Sequence, residues 1–164
     1  MNAMDYAKLQ LHEAFALMDA CVGDLDDDHY NWKPGGTCNP IAKSHVHAVT
    51  SIDFFVNGVL KGAAMEWPGV ATAHGLPANP MQLWQSEARI PLTAIKDYAK
   101  SMEAIALDYL SSLSEADLDR EVETQFFGKR DVSYIVQLVG MHMAGHTGDM
   151  AAVKGIQGLK GLPF

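Results

Sequence analysis

The chain has 164 residues, 48% of them hydrophobic, and a formal charge of −8 at pH 7. That length predicts one domain spanning 1–164, with enough residues to bury a sizeable core. No segment approaches the ~20 unbroken apolar residues of a membrane span, and an acidic balance without a stripe of Lys and Arg argues against nucleic acid as a partner. Met1 to Tyr6 shows no basic region followed by an apolar run, so no secretory signal is read there. Two cysteines, Cys21 and Cys38, form no CxxC or zinc-ribbon spacing. A reduced, cytoplasmic protein is the expectation.

Four long segments carry helical periodicity. The first runs from about Met4 to Val22, with Leu9, Leu11, Phe15, Met18 and Val22 near helical spacing, and Gly23 ends it. The acidic run Asp24 to Asp28 follows, and its Asp26-Asp27-Asp28 stretch reads as a solvated turn with no metal role. A second helix follows Asn39 as N-cap and Pro40 in its first turn, and continues to about Leu60 before Gly62. Gly62 to Pro80, rich in Gly, Ala and Pro, suits a crossover along a bundle better than a tight turn. The third helical segment spans about Met81 to Leu113 with an interruption near Pro91. Its later half, Ile95, Tyr98, Met102, Ile105, Tyr109 and Ser112/Leu113, steps by three and four like a bundle seam. Ser114 to Asp117 opens a short turn by capping-box logic, and the alternation in Glu121 to Phe127 suits extended chain. The fourth helix starts after Asp131 and ends at Gly155 or Gly158. The fold class is therefore all-α: a four-helix bundle with a long crossover between helices 2 and 3.

The strongest chemical signal lies on the fourth helix, where His142 and His146 stand four residues apart. Positions i and i+4 share one helix face, so two imidazoles can converge on one metal ion. With seven histidines in the chain, spacing alone is weak; position adds weight. Ile135, Leu138, Val139, His142, His146, Met150 and Val153 follow the steps of a core-facing stripe, which predicts that both histidines point inward. An inward imidazole needs either hydrogen-bond partners or a metal.

A catalytic site of the zinc type usually takes three protein ligands. The second helix offers His45 and His47, about 200° apart around its axis, so both cannot face the core. Ile41, His45, Ala48, Ile52, Phe55 and Val59 make an apolar stripe, whereas His47 shares its face with Ser44, Ser51 and Phe54. Periodicity favours His45.

Asn39-Pro40-Ile41-Ala42-Lys43-Ser44-His45-Val46-His47, followed by Asp53-Phe54-Phe55, resembles the second helix of the DinB/YfiT-like bundle family. His142-Met143-Ala144-Gly145-His146-Thr147-Gly148-Asp149-Met150 is similar to that family's H-x-x-x-H-x-G-[QED]-hydrophobic signature, and Ser114 to Asp119 to its D-L-D entry before the fourth helix. The resemblance spans nearly the whole chain. It implies that the second-helix ligand is His47, six residues after Ile41, and so a triad of His47, His142 and His146 with His45 as the fallback. Two positions depart from the pattern: Lys43 replaces an aromatic residue, and Ile52 replaces a Glu beside Asp53.

Such a triad implies one divalent transition metal, zinc or nickel, with positions open to water or substrate. Family members include transferases and isomerases that use low-molecular-weight thiols, which implies a metal-dependent enzyme of the thiol-transferase or hydrolase kind acting on a small molecule. Asp149 would be either an acceptor behind His146 or a solvated charge. Alternatives are a non-catalytic metal-binding or stress-response bundle and a haem or redox bundle. Covalent haem is excluded by the lack of CxxCH, and a di-iron carboxylate site is disfavoured because no Glu-x-x-His occurs. His12 is expected at the edge of the first helix, His29 and His74 in loops, and Trp32, Trp67 and Trp84 buried. A homodimer is expected, since bundles with an exposed apolar face often pair about a two-fold axis.

Overall fold

Local signals start and stop most elements of the computed structural model, which describes residues 2–162 and 164. In chain order these are α1 (Ala3–Val22), α2 (Asp27–Asn31), α3 (Ile41–Asp53), α4 (Trp67–Ala73), α5 (Pro80–Gln85), α6 (Leu92–Ser112), β1 (Glu121–Thr124), β2 (Gly128–Asp131) and α7 (Val132–Ile156). The Asn2 side chain accepts the Asp5 N–H at 2.8 Å and caps α1. Ser114 and Asp117 complete a reciprocal capping box on the 3-10 turn Glu115–Asp119. The antiparallel hairpin of β1 and β2 turns through three residues onto Gly128, whose φ of 65° is cheap only for glycine.

The four long helices form a ring in which α7 packs on α1 and α3, and α6 packs on the same two. The fold is an all-α bundle, with α4 and α5 riding on the long connection between α3 and α6. Its core includes Phe15, Met18, Val22, Ile52, Ile95, Met102, Ile135 and Met150. Among the described residues, no helix is long and apolar enough to cross a membrane.

Several expectations are corrected. Leu9 lies outward, 46% exposed, because Leu11 and Phe15 already define the buried line of α1. The acidic run is not a bare turn: Asp26 caps α2 by accepting the N–H groups of Asp28 and His29. Pro40 rather than Asn39 occupies the N-cap of α3 and supplies no side-chain cap. The interruption expected near Pro91 is found: α5 ends at Gln85, extended chain follows from Ser86, and Pro91 is the N-cap of α6. Along α6 the seam drifts from Ile95, Tyr98 and Met102 to Ala106 and Leu110, leaving Ile105 and Tyr109 half-buried. The second helix does reach Leu60, but Phe54–Leu60 is wound as π-helix. Gly62, at φ 64°, then reverses the chain.

Asp53 stands at the change from α- to π-winding and is 0% exposed. Its carboxylate accepts hydrogen bonds from Tyr98 Oη (2.6 Å), Asn57 Nδ2 (2.7 Å) and the Trp67 N–H (2.8 Å). Burial, then the neighbouring carboxylate, pushes the Tyr98 phenol up, so it stays protonated and donates. One side chain thus ties α3 to α4 and α6. A second polar anchor is Lys154, 2% exposed, which donates to the Cys21 carbonyl and to Asp24.

Replacing Asp53 with Leu strands three buried donors at once, and we expect a loss of about 3–5 kcal/mol in urea unfolding. Asp53→Asn keeps one acceptor oxygen and should lose less, about 1–2 kcal/mol. A Leu variant as stable as wild type would contradict the role given to this carboxylate.

Candidate metal centre

Helix α7 presents two parallel lines of side chains. Ile135, Val139, Met143, Thr147 and Met150 are buried against the core, while Leu138, His142 and His146 are half-buried on the adjoining line. The two histidines therefore do not point into the core as the stripe predicted; they look across the seam to α3. There His47, also half-buried, meets them. Its ring centroid lies 4.9 Å from that of His142 and 4.8 Å from that of His146, and the latter two are 4.5 Å apart.

One ring nitrogen from each of these histidines lies within 4.8 Å of the others, so the three could hold a metal ion. Tetrahedral bonds of about 2.05 Å would bring such nitrogens to about 3.3 Å, a closure within reach of small side-chain rotations. His142 Nε2 is buried and has no hydrogen-bond partner among the described residues. A buried imidazole nitrogen left without a partner, on a ring that packs against two more imidazoles, is what a missing ligand partner leaves behind. Burial, with His146 and then His47 beside it, lowers the His142 pKa to about 4. Burial and His146 do the same for His47, also to about 4. Both rings are accordingly neutral at ordinary pH, the state in which imidazole donates a lone pair.

His146 Nδ1 lies 3.0 Å from Asp149 Oδ2, one turn further along α7. A proton held on Nδ1 by that carboxylate leaves Nε2 as the donor to a metal. Asp149 remains 64% exposed, so it is an acceptor and a solvated charge at the same time.

His45 does not join the cluster. It is 1% exposed, and its Nδ1 lies 3.0 Å from the buried hydroxyl of Tyr30. Periodicity found its burial correctly, but a core-facing histidine on α3 faces away from α7's polar line. His12 is at the edge of α1, 2.7 Å from Glu103. His29 lies in α2 beside Asp26 rather than in a loop, and His74 is the C-cap of α4. Among the tryptophans only Trp67 is fully buried; Trp32 is 38% exposed.

Two further residues stand at the rim of the cluster. The Trp84 ring stands 5.2 Å from His47. Lys43 lies one turn before His47 and helps line a shallow recess with His47, Thr50, Leu83 and Trp84. Helical spacing from His47 could have found Lys43; only the crossover brings Trp84.

Comparison with known proteins follows the same line. The family model described as the DinB superfamily matches residues 10–150. A conserved protein from Enterococcus faecalis has the same fold with a TM-score of 0.81 at 14% identity, covering 96% of this chain and 99% of its own. A DinB-like protein from Bacillus subtilis superposes with a TM-score of 0.65 at 23% identity, covering 97% and 96%. No curated protein matches the chain.

An orphaned buried nitrogen should cost stability when no metal is bound. In the presence of chelator, His142→Leu is expected to raise Tm by about 2–4 °C, equivalent to ~1 kcal/mol. A lower Tm in that variant would show that His142 Nε2 is satisfied within the protein.

Proposed function

The chain belongs to the DinB superfamily, and we propose that it is a metal-dependent enzyme of the thiol-transferase or hydrolase kind, with His47, His142 and His146 as ligands of one divalent transition metal. The observation that carries this reading is the convergence of a ring nitrogen from each of the three histidines within 4.8 Å, on a cluster where His142 Nε2 is buried without a partner among the described residues. Neutral imidazole suits Zn²⁺ and Ni²⁺ alike. Three neutral ligands leave the metal's charge uncompensated, and when bound it supplies an open Lewis-acid position that acidifies a coordinated water or thiol.

The protein's own groups do the rest. Asp149 fixes the ring orientation of His146 by accepting from Nδ1. Thr50 and Ser51 both direct their hydroxyls to the His47 carbonyl, which keeps them from competing for the imidazole. The Trp84 ring covers one flank of His47 and restricts water there. The substrate is a small molecule reaching the seam between α3 and α7, and a low-molecular-weight thiol is the proposed cosubstrate. Both cysteines are free thiols, which suits the reducing cytoplasm we propose as the compartment.

The test is the metal content of untagged protein purified without chelators. Wild type should carry close to one equivalent of transition metal. His142→Ala and His47→Ala should lose it, and His45→Ala should keep it. Wild type that takes up neither zinc nor nickel on reconstitution would end the metalloenzyme reading. Loss in His45→Ala alone would move the third ligand to that position.

A further inference from the structure

Helix α3 carries more than a histidine to this site. Lys43, four residues before His47, sits about 6 Å along the axis and lines two recesses at once. One is the small hollow beside His47 and Trp84. The other is larger and is also lined by Lys33, Arg89, Glu87 and Asn31. A chain with 12 Lys and Arg against 20 Asp and Glu has placed three of its cations around one opening, which shares Lys43 with the hollow beside His47.

The three cations differ in how they are held. Lys33 pairs with Glu87 and Arg89 with Asp28, and both carboxylates are highly exposed, at 78% and 87%. Exposed ion pairs contribute little stability, so a bound anion can displace either partner at small cost. Lys43 has no acidic partner: its Nζ donates to the carbonyls of Trp84 and Ser86, at 2.8 and 3.0 Å. An ammonium has three N–H donors, and the third has no partner among the described residues. Lys33 first, and Lys43 further off, hold the Glu87 carboxyl below its usual range, which reports the positive field of the recess. The walls are fixed as well, because Asn31 exchanges two hydrogen bonds with the backbone of Ile90, at 2.9 and 2.8 Å.

We propose that the basic recess of Lys43, Lys33 and Arg89 is the carboxylate-binding arm of the histidine site. The molecule that reaches the triad then carries an anionic carboxylate a few bonds from its metal-binding atom. Two of the three cations already hold a carboxylate in this structure, and Arg89 offers the planar fork that matches one. The proposal rests on the metal-site reading above, since it assigns the far end of the ligand whose near end the triad would take. Lys43 is a binding residue in this scheme, placed to touch both the ligand's carboxylate and the strip of chain that carries Trp84.

The experiment is calorimetric titration of zinc-loaded protein with two thiols, mercaptosuccinate (anionic) and 2-mercaptoethanol (neutral). Zinc uptake is measured first, so that a failure of the metal site is seen separately and overturns both readings. With zinc bound, wild type should take mercaptosuccinate at least ~10-fold more tightly, and the preference should fall as salt is raised. Lys43→Gln should remove most of that preference. Arg89→Gln and Lys33→Gln, which replace exposed side chains and leave the fold intact, should each reduce it ~2–5-fold. Lys100→Gln, in a separate cleft with His12 and Glu103, should leave it unchanged. Equal affinity for the two thiols, or a preference that survives all three recess variants, overturns the proposal while the metal site stands. Displacement of mercaptosuccinate by inorganic phosphate more readily than by succinate overturns the carboxylate assignment.

Discussion

A carboxylate removed from water must be compensated by donors, and Asp53 shows what that requirement imposes on a bundle. Its oxygens take the Tyr98 hydroxyl from α6, the Trp67 N–H from the start of α4 and the Asn57 amide from its own helix. None of these is a cation, so the compensation comes entirely from geometry: all three donors must be in place together. The long connection after α3 is thereby pinned at its first helix, and α6 is held against the α3 face that carries Asp53. With that face committed, the remaining polar face of α3 is the one that meets α7.

The α3–α7 seam then sets the chemistry. Half-burial is the useful condition for an imidazole that is to bind something. Full burial, as at His45, demands a partner within the protein, and Tyr30 supplies it. Half-burial lowers the pKa values of His47 and His142 to about 4 and leaves His142 Nε2 without a partner among the described residues. A cluster of this kind carries a penalty in the metal-free fold, as buried polar groups without partners do. Met143 and Thr147 beside it are buried, and the Thr147 hydroxyl is satisfied by donating to the Met143 carbonyl.

The surroundings of the seam extend this asymmetry. The aromatic side is Trp84, carried by the short helix α5. The cationic side is Lys43, anchored by two carbonyls of that same segment. One stretch of the crossover therefore shapes both the apolar flank of His47 and the position of the nearest positive charge. In a chain with a net charge of −8, a local excess of cations at one mouth gives anions a favourable approach there.

Much of this was legible in the sequence. Helical spacing marked the four long helices, Ser114 and Asp117 announced their turn, Gly62 marked the end of the second helix, and the four-residue gap put His142 and His146 on one face. Each of these depends on residues close together in the chain, where backbone geometry acts directly. The choice between His45 and His47 was not of that kind. Periodicity reports how deeply a residue is buried, not which neighbour it faces, so it selected the histidine that packs on Tyr30 rather than the one that meets α7. Nor could it separate the buried line of α7 from the half-buried line beside it, because a helix with two packing partners blurs a single stripe into two. Two of the three partners of Asp53 lie 14 and 45 residues away, and Trp84 and the Ser86 carbonyl reach α3 only through the crossover. Those contacts exist because the folded chain closes a bundle around a buried charge, and only the tertiary structure could decide them.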